Sequence, residues 1–267
     1  MLNSCFANFD QHNIHYWEVG TGFPILMIHW VGPGTSILGN FGPVLEPLSQ
    51  KCHIFAMDLI GFGESGRKNK PPFFDLDLWI KQALFLIENV LPDGPCGLAG
   101  HSLGEYTALV CGGSLTLERA AYLLKERGIA MQNAVPPGQG AMIAILGMTI
   151  NEVEKEIDLL PKEEICEIAN DNSNSQIVVS GTSGSIKILN ENLKKKRKKG
   201  IILPVSAPFH CSLMKEAAEK MKEKIENAIF LQPKPSIISN VTAKVEYDFN
   251  IIKSLLVKQI TSRVRWK

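Results

Sequence analysis

Gly100-His101-Ser102-Leu103-Gly104 is the stretch on which the fold of this chain turns. An apolar run at 96–99 leads into it, and a helix-compatible stretch at 105–111 leaves it. Glycines on both sides of a serine give room for a strained turn from strand to helix, and the strain pushes the hydroxyl outward. Ser102 is therefore a candidate nucleophile. Leu103, at the start of the following helix, is the candidate donor of a backbone N–H to a developing oxyanion. The bland alternative is an ordinary strand-to-helix turn. The strand and helix flanks favour the catalytic reading.

On the N-terminal side, strand signals at 14–19, 24–29 and 54–59 and an amphipathic helix at 76–90 precede the elbow strand, which is a doubly wound α/β pattern. A further helix is predicted at 117–131. It puts Ala120, Leu123, Leu124, Arg127 and Met131 on one stripe and Arg119, Lys125 and Glu126 elsewhere. An arginine on an apolar face needs an anionic partner, either a structural carboxylate or a substrate carboxylate. Residues 138–205 then carry their own rhythm: strand 141–146, helix 151–160, strands 165–169 and 176–180, helix 183–198, strand 201–205. That order is the ferredoxin-like βαββαβ pattern. The expected fold is thus α/β, a doubly wound, mostly parallel sheet with an α/β-hydrolase-like core (1–137 and 206–267) and an inserted ferredoxin-like subdomain (138–205).

Composition excludes some partners. A chain of 267 residues with 45% apolar residues and a formal charge of +1 fits a globular protein and does not point to nucleic acid. The longest apolar stretches are strand-length, and residues 1–10 lack a basic segment followed by an apolar one. Neither a membrane span nor a secretory signal is expected, and the predicted location is cytoplasmic. Cysteines at 5, 52, 96, 111, 166 and 211 form no metal-ligand spacing, so no metal site is expected. The basic run at 194–199 closes a helix, where cations complement the dipole. Its functional alternative is docking of an acidic protein partner.

A serine nucleophile needs a base, normally histidine. His12 and His15 lie near an early strand, His53 precedes one, His101 points away at an elbow, and His29, ending a strand, suits an oxyanion loop better. Only His210 lies downstream of Ser102, in the proline-bounded segment Pro204-Val205-Ser206-Ala207-Pro208-Phe209-His210-Cys211-Ser212-Leu213-Met214.

From Gly100 onward the chain resembles malonyl-CoA:acyl-carrier-protein transacylases of fatty-acid synthesis. The resemblance rests on Gly100 to Tyr106, Arg127-Gly128, Gly140-Ala141-Met142, Asn172-Ser173, Gln176-Ile177-Val178, the Pro204 to Met214 segment and Asn240-Val241, all in the family's order. It implies Ser102 as acyl acceptor, His210 as base, Arg127 as the guanidinium that pairs with the malonyl carboxylate, and Asn172 at the substrate. It also implies that a backbone or amide oxygen orients the histidine. Malonyl-CoA and acyl-carrier protein are the implied partners, with coenzyme A thioester as substrate and no cofactor. The family's Gly-Gln-Gly-Ser-Gln loop is missing from the first hundred residues. There, residues 24–29, the Gly32-Pro33-Gly34 loop and Asp58-Leu59-Ile60-Gly61-Phe62-Gly63-Glu64-Ser65 resemble α/β-hydrolases that cleave carbon–carbon bonds, with His29-Trp30 where that branch has His-Gly. The chain reads as a hybrid joined at the elbow, ending at Arg265-Trp266-Lys267 before the transacylase family's closing strand and helix. A hydrolase using the same Ser102 and an inactive hybrid are the alternatives; the hydrolase lacks a convincing acid for His210, because those between, such as Asp158 and Asp171, fall in the inserted subdomain.

Overall fold

The computed structural model of this chain describes residues 1–29, 36–71, 75–94, 96–100, 102–161, 163–173, 176–205, 207–234 and 236–265. Trp30, the Gly32-Pro33-Gly34 loop, His101 and Ser206 lie outside them, as do the last two residues. In chain order the protein forms β1 (Asn3–Phe9), β2 (His12–Val19), β3 (Phe23–Ile28), α1 (Ile37–Ser49), β4 (Cys52–Met57), α2 (Leu76–Asn89), β5 (Gly97–Gly100) and α3 (Gly104–Cys111). Then come α4 (Leu117–Asn133), β6 (Gly140–Leu146), α5 (Ile150–Asp158), β7 (Cys166–Ser173), β8 (Gln176–Thr182), α6 (Ser183–Lys195) and β9 (Lys199–Ile202). A 3-10 turn at Ser212–Met214 leads into α7 (Lys215–Glu226), followed by β10 (Ile237–Ile238), β11 (Val245–Glu246), α8 (Phe249–Gln259) and β12 (Val264–Arg265). The chain divides into two compact units. The first comprises Met1–Ala121, Ile229–Ser239 and Lys244–Phe249; the second comprises Tyr122–Ala228, Asn240–Ala243 and the chain from Asn250 onward.

The first unit holds a seven-stranded sheet in the order β1-β2-β4-β3-β5-β10-β11. Its centre, β4-β3-β5-β10, is parallel, but β1, β2 and β11 each pair antiparallel. The expectation of a mostly parallel sheet is corrected to a mixed one. The reason is local: only Asp10 and Gln11 separate β1 from β2, and so short a link allows a hairpin but no crossover. Ile25 to Ile28 and Ile54 to Met57 are buried at every position, odd and even alike, as central strands covered on both faces must be. β1, at the edge, is exposed to half-buried throughout. Helix α1 escaped the sequence reading because Gly39, Gly42, Pro43 and Pro47 punctuate it. Ser36 starts it, its Oγ accepting from Gly39 N–H at 3.1 Å.

The second unit is built on a five-stranded sheet, β12-β7-β8-β6-β9, in which β7, β8, β6 and β9 pair antiparallel and β12 joins β7 in parallel. Side-chain alternation along β6 separates two cores. Ile143 and Ile145 meet Val153 of α5 and Ile186, Leu189 and Leu193 of α6, whereas Met142 and Ala144 meet Ala169 and Val178, with Leu203, Val205 and Phe209 packed on them. Strand β9 ends at Ile202, three residues short of the expected 205, where Leu203, Val205 and Phe209 turn to cover this second face. Helix α6 likewise stops at Lys195. Lys196 caps it and pairs with Glu156 at 2.7 Å, so part of the basic run has a structural task. No described helix is long and apolar enough to cross a membrane.

Candidate functional site

Ser102 sits between β5 and α3 at φ +52°. A positive φ at a residue with a Cβ is strained, and here the local hydrogen bonds Glu105 N–H to Ser102 O (3.2 Å) and Tyr106 N–H to Leu103 O (3.1 Å) hold it. Ser102 is half-buried and Leu103 exposed, while α3 is buried from Gly104 to Leu109. The flanking glycines are dictated by proximity. A Cβ on Gly100 would lie 2.1 Å from Gly104 O, and one on Gly104 would lie 3.1 Å from Ile28 O. Gly100→Ala is accordingly expected to cost about 2–3 kcal/mol, because the strand and the first turn of α3 must separate to admit a methyl. Urea denaturation checks this; an unchanged midpoint would mean the turn relaxes freely.

In the second unit, His210 follows the segment laid over the sheet. A Cβ on Gly140 would lie 2.4 Å from the Pro208 ring, so strand and loop touch. Cys211 Sγ donates to Pro208 O at 3.1 Å, Ser212 N–H donates to Glu167 Oε2 at 3.1 Å, and the Ser212 hydroxyl also donates to Glu167. Fixed from both sides, His210 is 4% exposed and has φ +60°. Its Nδ1 lies 2.8 Å from the backbone oxygen of Gln259. A carbonyl only accepts, so Nδ1 carries the proton and Nε2 the lone pair. The Gln259 side chain is fully buried and donates to Asn240 Oδ1 at 3.3 Å. Sequence reading missed Gln259. Its carbonyl belongs to the last turn of α8, where oxygens lack intrahelical partners, but nothing in the sequence says which side chain comes to meet it.

Arg127 of α4 has no exposed surface and is among the largest fully buried side chains. Ala120, Leu123 and Met131 of its stripe are buried too, and Arg127 Nε donates to Met131 Sδ at 3.3 Å. Asn172 lies on β7, where its Nδ2 donates to Gln176 Oε1 at 3.3 Å. Its Oδ1 is buried and accepts no hydrogen bond among the described residues. Cys211, beside His210, does not compete as a nucleophile, since burial pushes its thiol up to about 11 and keeps it protonated. Asp158 ends α5, and Asp171 is 8% exposed on β7.

His15, His29 and His53 have partners within the first unit. His29, expected at an oxyanion loop, is buried, and its Nε2 accepts from Leu59 N–H at 3.0 Å, tying the end of β3 to the end of β4. That correction has a plain cause: the strand end turns the ring inward, against Phe62. His53 pairs with Glu18 at 2.8 Å, and His15 with Asp58. No group of three or more histidine, cysteine or acidic side chains among the described residues is arranged to hold a metal.

Residues 93–265 match the family model described as acyl transferase domain. A malonyl CoA-acyl carrier protein transacylase of Bacillus subtilis is 43% identical over 171 residues, 63% of this chain and 54% of that protein. One from Escherichia coli K12 is 37% identical over 173 residues, 64% of this chain and 56% of that protein. The chain spans about half the length of these curated relatives. The solved malonyl CoA-acyl carrier protein transacylase of Coxiella burnetii superposes with a TM-score of 0.72 at 28% identity, over 93% of this chain and 82% of that one. A type II polyketide-synthase malonyl-transacylase, solved in complex with its acyl-carrier protein, superposes at 0.70 and 26% identity over 91% and 82%. The structural likeness thus reaches into the first hundred residues, which the family model leaves unmatched up to residue 92.

Proposed function

Because the chain belongs to the acyl transferase domain family, we propose that it moves a malonyl group from malonyl-CoA to acyl-carrier protein, a step of fatty-acid biosynthesis, through an ester on Ser102. The observation that carries this reading is the turn at Ser102, a non-glycine residue held at positive φ between a parallel strand and a helix start. Ser102 Oγ attacks the thioester carbonyl while His210 Nε2 takes its proton. The C–S bond breaks, and coenzyme A leaves as the thiol with that proton. The Leu103 N–H, at the positive end of α3, donates to the transient oxyanion. The carrier-protein thiol then attacks the Ser102 ester, and its proton returns to the serine through His210.

Arg127 pairs with the malonyl carboxylate in this scheme. A guanidinium with no exposed surface is stable beside an anion and costly beside an uncharged acyl chain. Asn172 contacts the substrate, and exposed Lys194 and Lys195 meet the acidic carrier. Nucleophilic substitution at a thioester needs no resident cofactor, and the proposed location is cytoplasmic. We also read 1–137 and 206–267 as an α/β-hydrolase-like core, its first hundred residues hydrolase-derived, and 138–205 as an inserted ferredoxin-like subdomain. The motif at Asp58–Ser65 supports the former, and the antiparallel order β7-β8-β6-β9 the latter.

Incubation with malonyl-CoA followed by peptide mass spectrometry tests the proposal. A malonyl ester on Ser102, absent from Ser102→Ala, is the expected result. Adducts elsewhere only, or none on folded protein, would remove it.

A further inference from the structure

Far from the elbow in sequence, the first unit carries a hydrogen-bonded series of serine, histidine and aspartate. Ser4 Oγ lies 3.0 Å from His15 Nε2, and His15 Nδ1 lies 2.8 Å from Asp58 Oδ2. We propose that Ser4 is a second acylatable nucleophile, activated by His15 and Asp58 and open to small activated esters with an apolar acyl group.

The strand register builds the arrangement. In the β1–β2 hairpin, Ser4 faces Trp17 and Phe6 faces His15, so all four side chains project from one face. Asp58, just past the end of β4, reaches His15 from the neighbouring loop. Burial alone would raise the Asp58 carboxyl. Hydrogen bonds from His15, Ile37 N–H (2.7 Å) and Glu64 N–H (3.2 Å) instead hold it below the ordinary aspartate value. Asp58 is therefore a carboxylate at neutral pH and only accepts, so the His15 proton sits on Nδ1. Nε2 is left as the acceptor for the Ser4 hydroxyl. Nucleophile to base and base to orienting acid both fall within the reach that activation requires.

Access and exclusion of water also fit. Ser4 is exposed, whereas His15 has no exposed surface. The Phe6 ring lies 4.9 Å from the imidazole centroid and the Trp17 ring meets it edge-on at 5.1 Å, so the base is walled in and reached through Ser4. The same two rings form an apolar wall beside the hydroxyl, which selects an uncharged acyl group. Glu64 Oε2, 3.9 Å from Nε2, stabilises the imidazolium once the proton has moved. In the reaction Ser4 Oγ bonds to the carbonyl carbon, its proton passes to Nε2, the bond from carbonyl carbon to the leaving oxygen breaks, and the departing aryl oxide takes that proton.

The test uses the full chain carrying Ser102→Ala and 4-nitrophenyl acetate as probe, with acetylation followed peptide by peptide. Ser254, exposed and among the described residues bonded to Ile251 O of its own helix, is the internal control. Ser4 is expected to acetylate about a hundredfold faster than Ser254, the usual worth of a positioned base. A folded His15→Asn protein should bring it down to the Ser254 rate. Equal rates at Ser4 and Ser254 would overturn the proposal, as would rapid acetylation of Ser4 that survives folded His15→Asn. Should His15→Asn fail to fold, the ratio in Ser102→Ala decides alone.

Discussion

Replacing His210 with alanine is expected to slow malonylation of Ser102 by on the order of a thousandfold, the loss that follows removal of a positioned general base. The substitution also leaves the Gln259 carbonyl without its donor and puts alanine at φ +60°, so some stability goes with it, about 1–2 kcal/mol. His210→Asn separates the two effects. Asparagine tolerates the left-handed backbone, and its amide donates to the carbonyl, yet it cannot take a proton. Equal slowing in both variants, with a near-normal melt for His210→Asn, is the expected result. Rapid malonylation in either variant would eliminate the pairing of His210 with Ser102.

Arg127→Ala is expected to lower transfer from malonyl-CoA by roughly a hundredfold to a few thousandfold, since an anion left without its buried partner forfeits about 3–5 kcal/mol. Transfer from acetyl-CoA should rise relative to malonyl transfer, because its acyl group brings no charge to satisfy. The side chain is large and wholly enclosed, so truncation also opens a cavity. Arg127→Met fills most of that volume and should show the same reversal with less destabilisation. Parallel loss on both donors, with a sharply lower melting temperature in both variants, would mean that Arg127 serves the fold rather than the substrate.

The elements that carry this chemistry were the easiest to read. Strand, turn and helix around Ser102 follow from an apolar run and two flanking glycines, and the Arg127 stripe follows from helical spacing. What escaped was set at long range. The two-residue strands β10, β11 and β12 exist only through their pairings, and no local preference announces them. Helix α1 hides behind its own glycines and prolines, and β1 shows itself in its pairing with β2 rather than in a strong strand pattern of its own. For His29 the position at a strand end is legible in the sequence, while the direction of its ring is not. The partners of His210 illustrate the same limit, since 49 residues separate it from Gln259.

That last contact alters how the site answers to mutation. The group that fixes the tautomer of the proposed base is a peptide oxygen, which every amino acid at position 259 supplies alike. A scan that replaces side chains one at a time would pass over it and leave the histidine looking self-sufficient. The sensitive variable is helical phase. Deleting one residue within α8 rotates the carbonyl by about 100° about the helix axis, away from Nδ1, while leaving every motif named above intact. In this chain the orientation of the base is encoded by the length of a helix rather than by the identity of any residue in it.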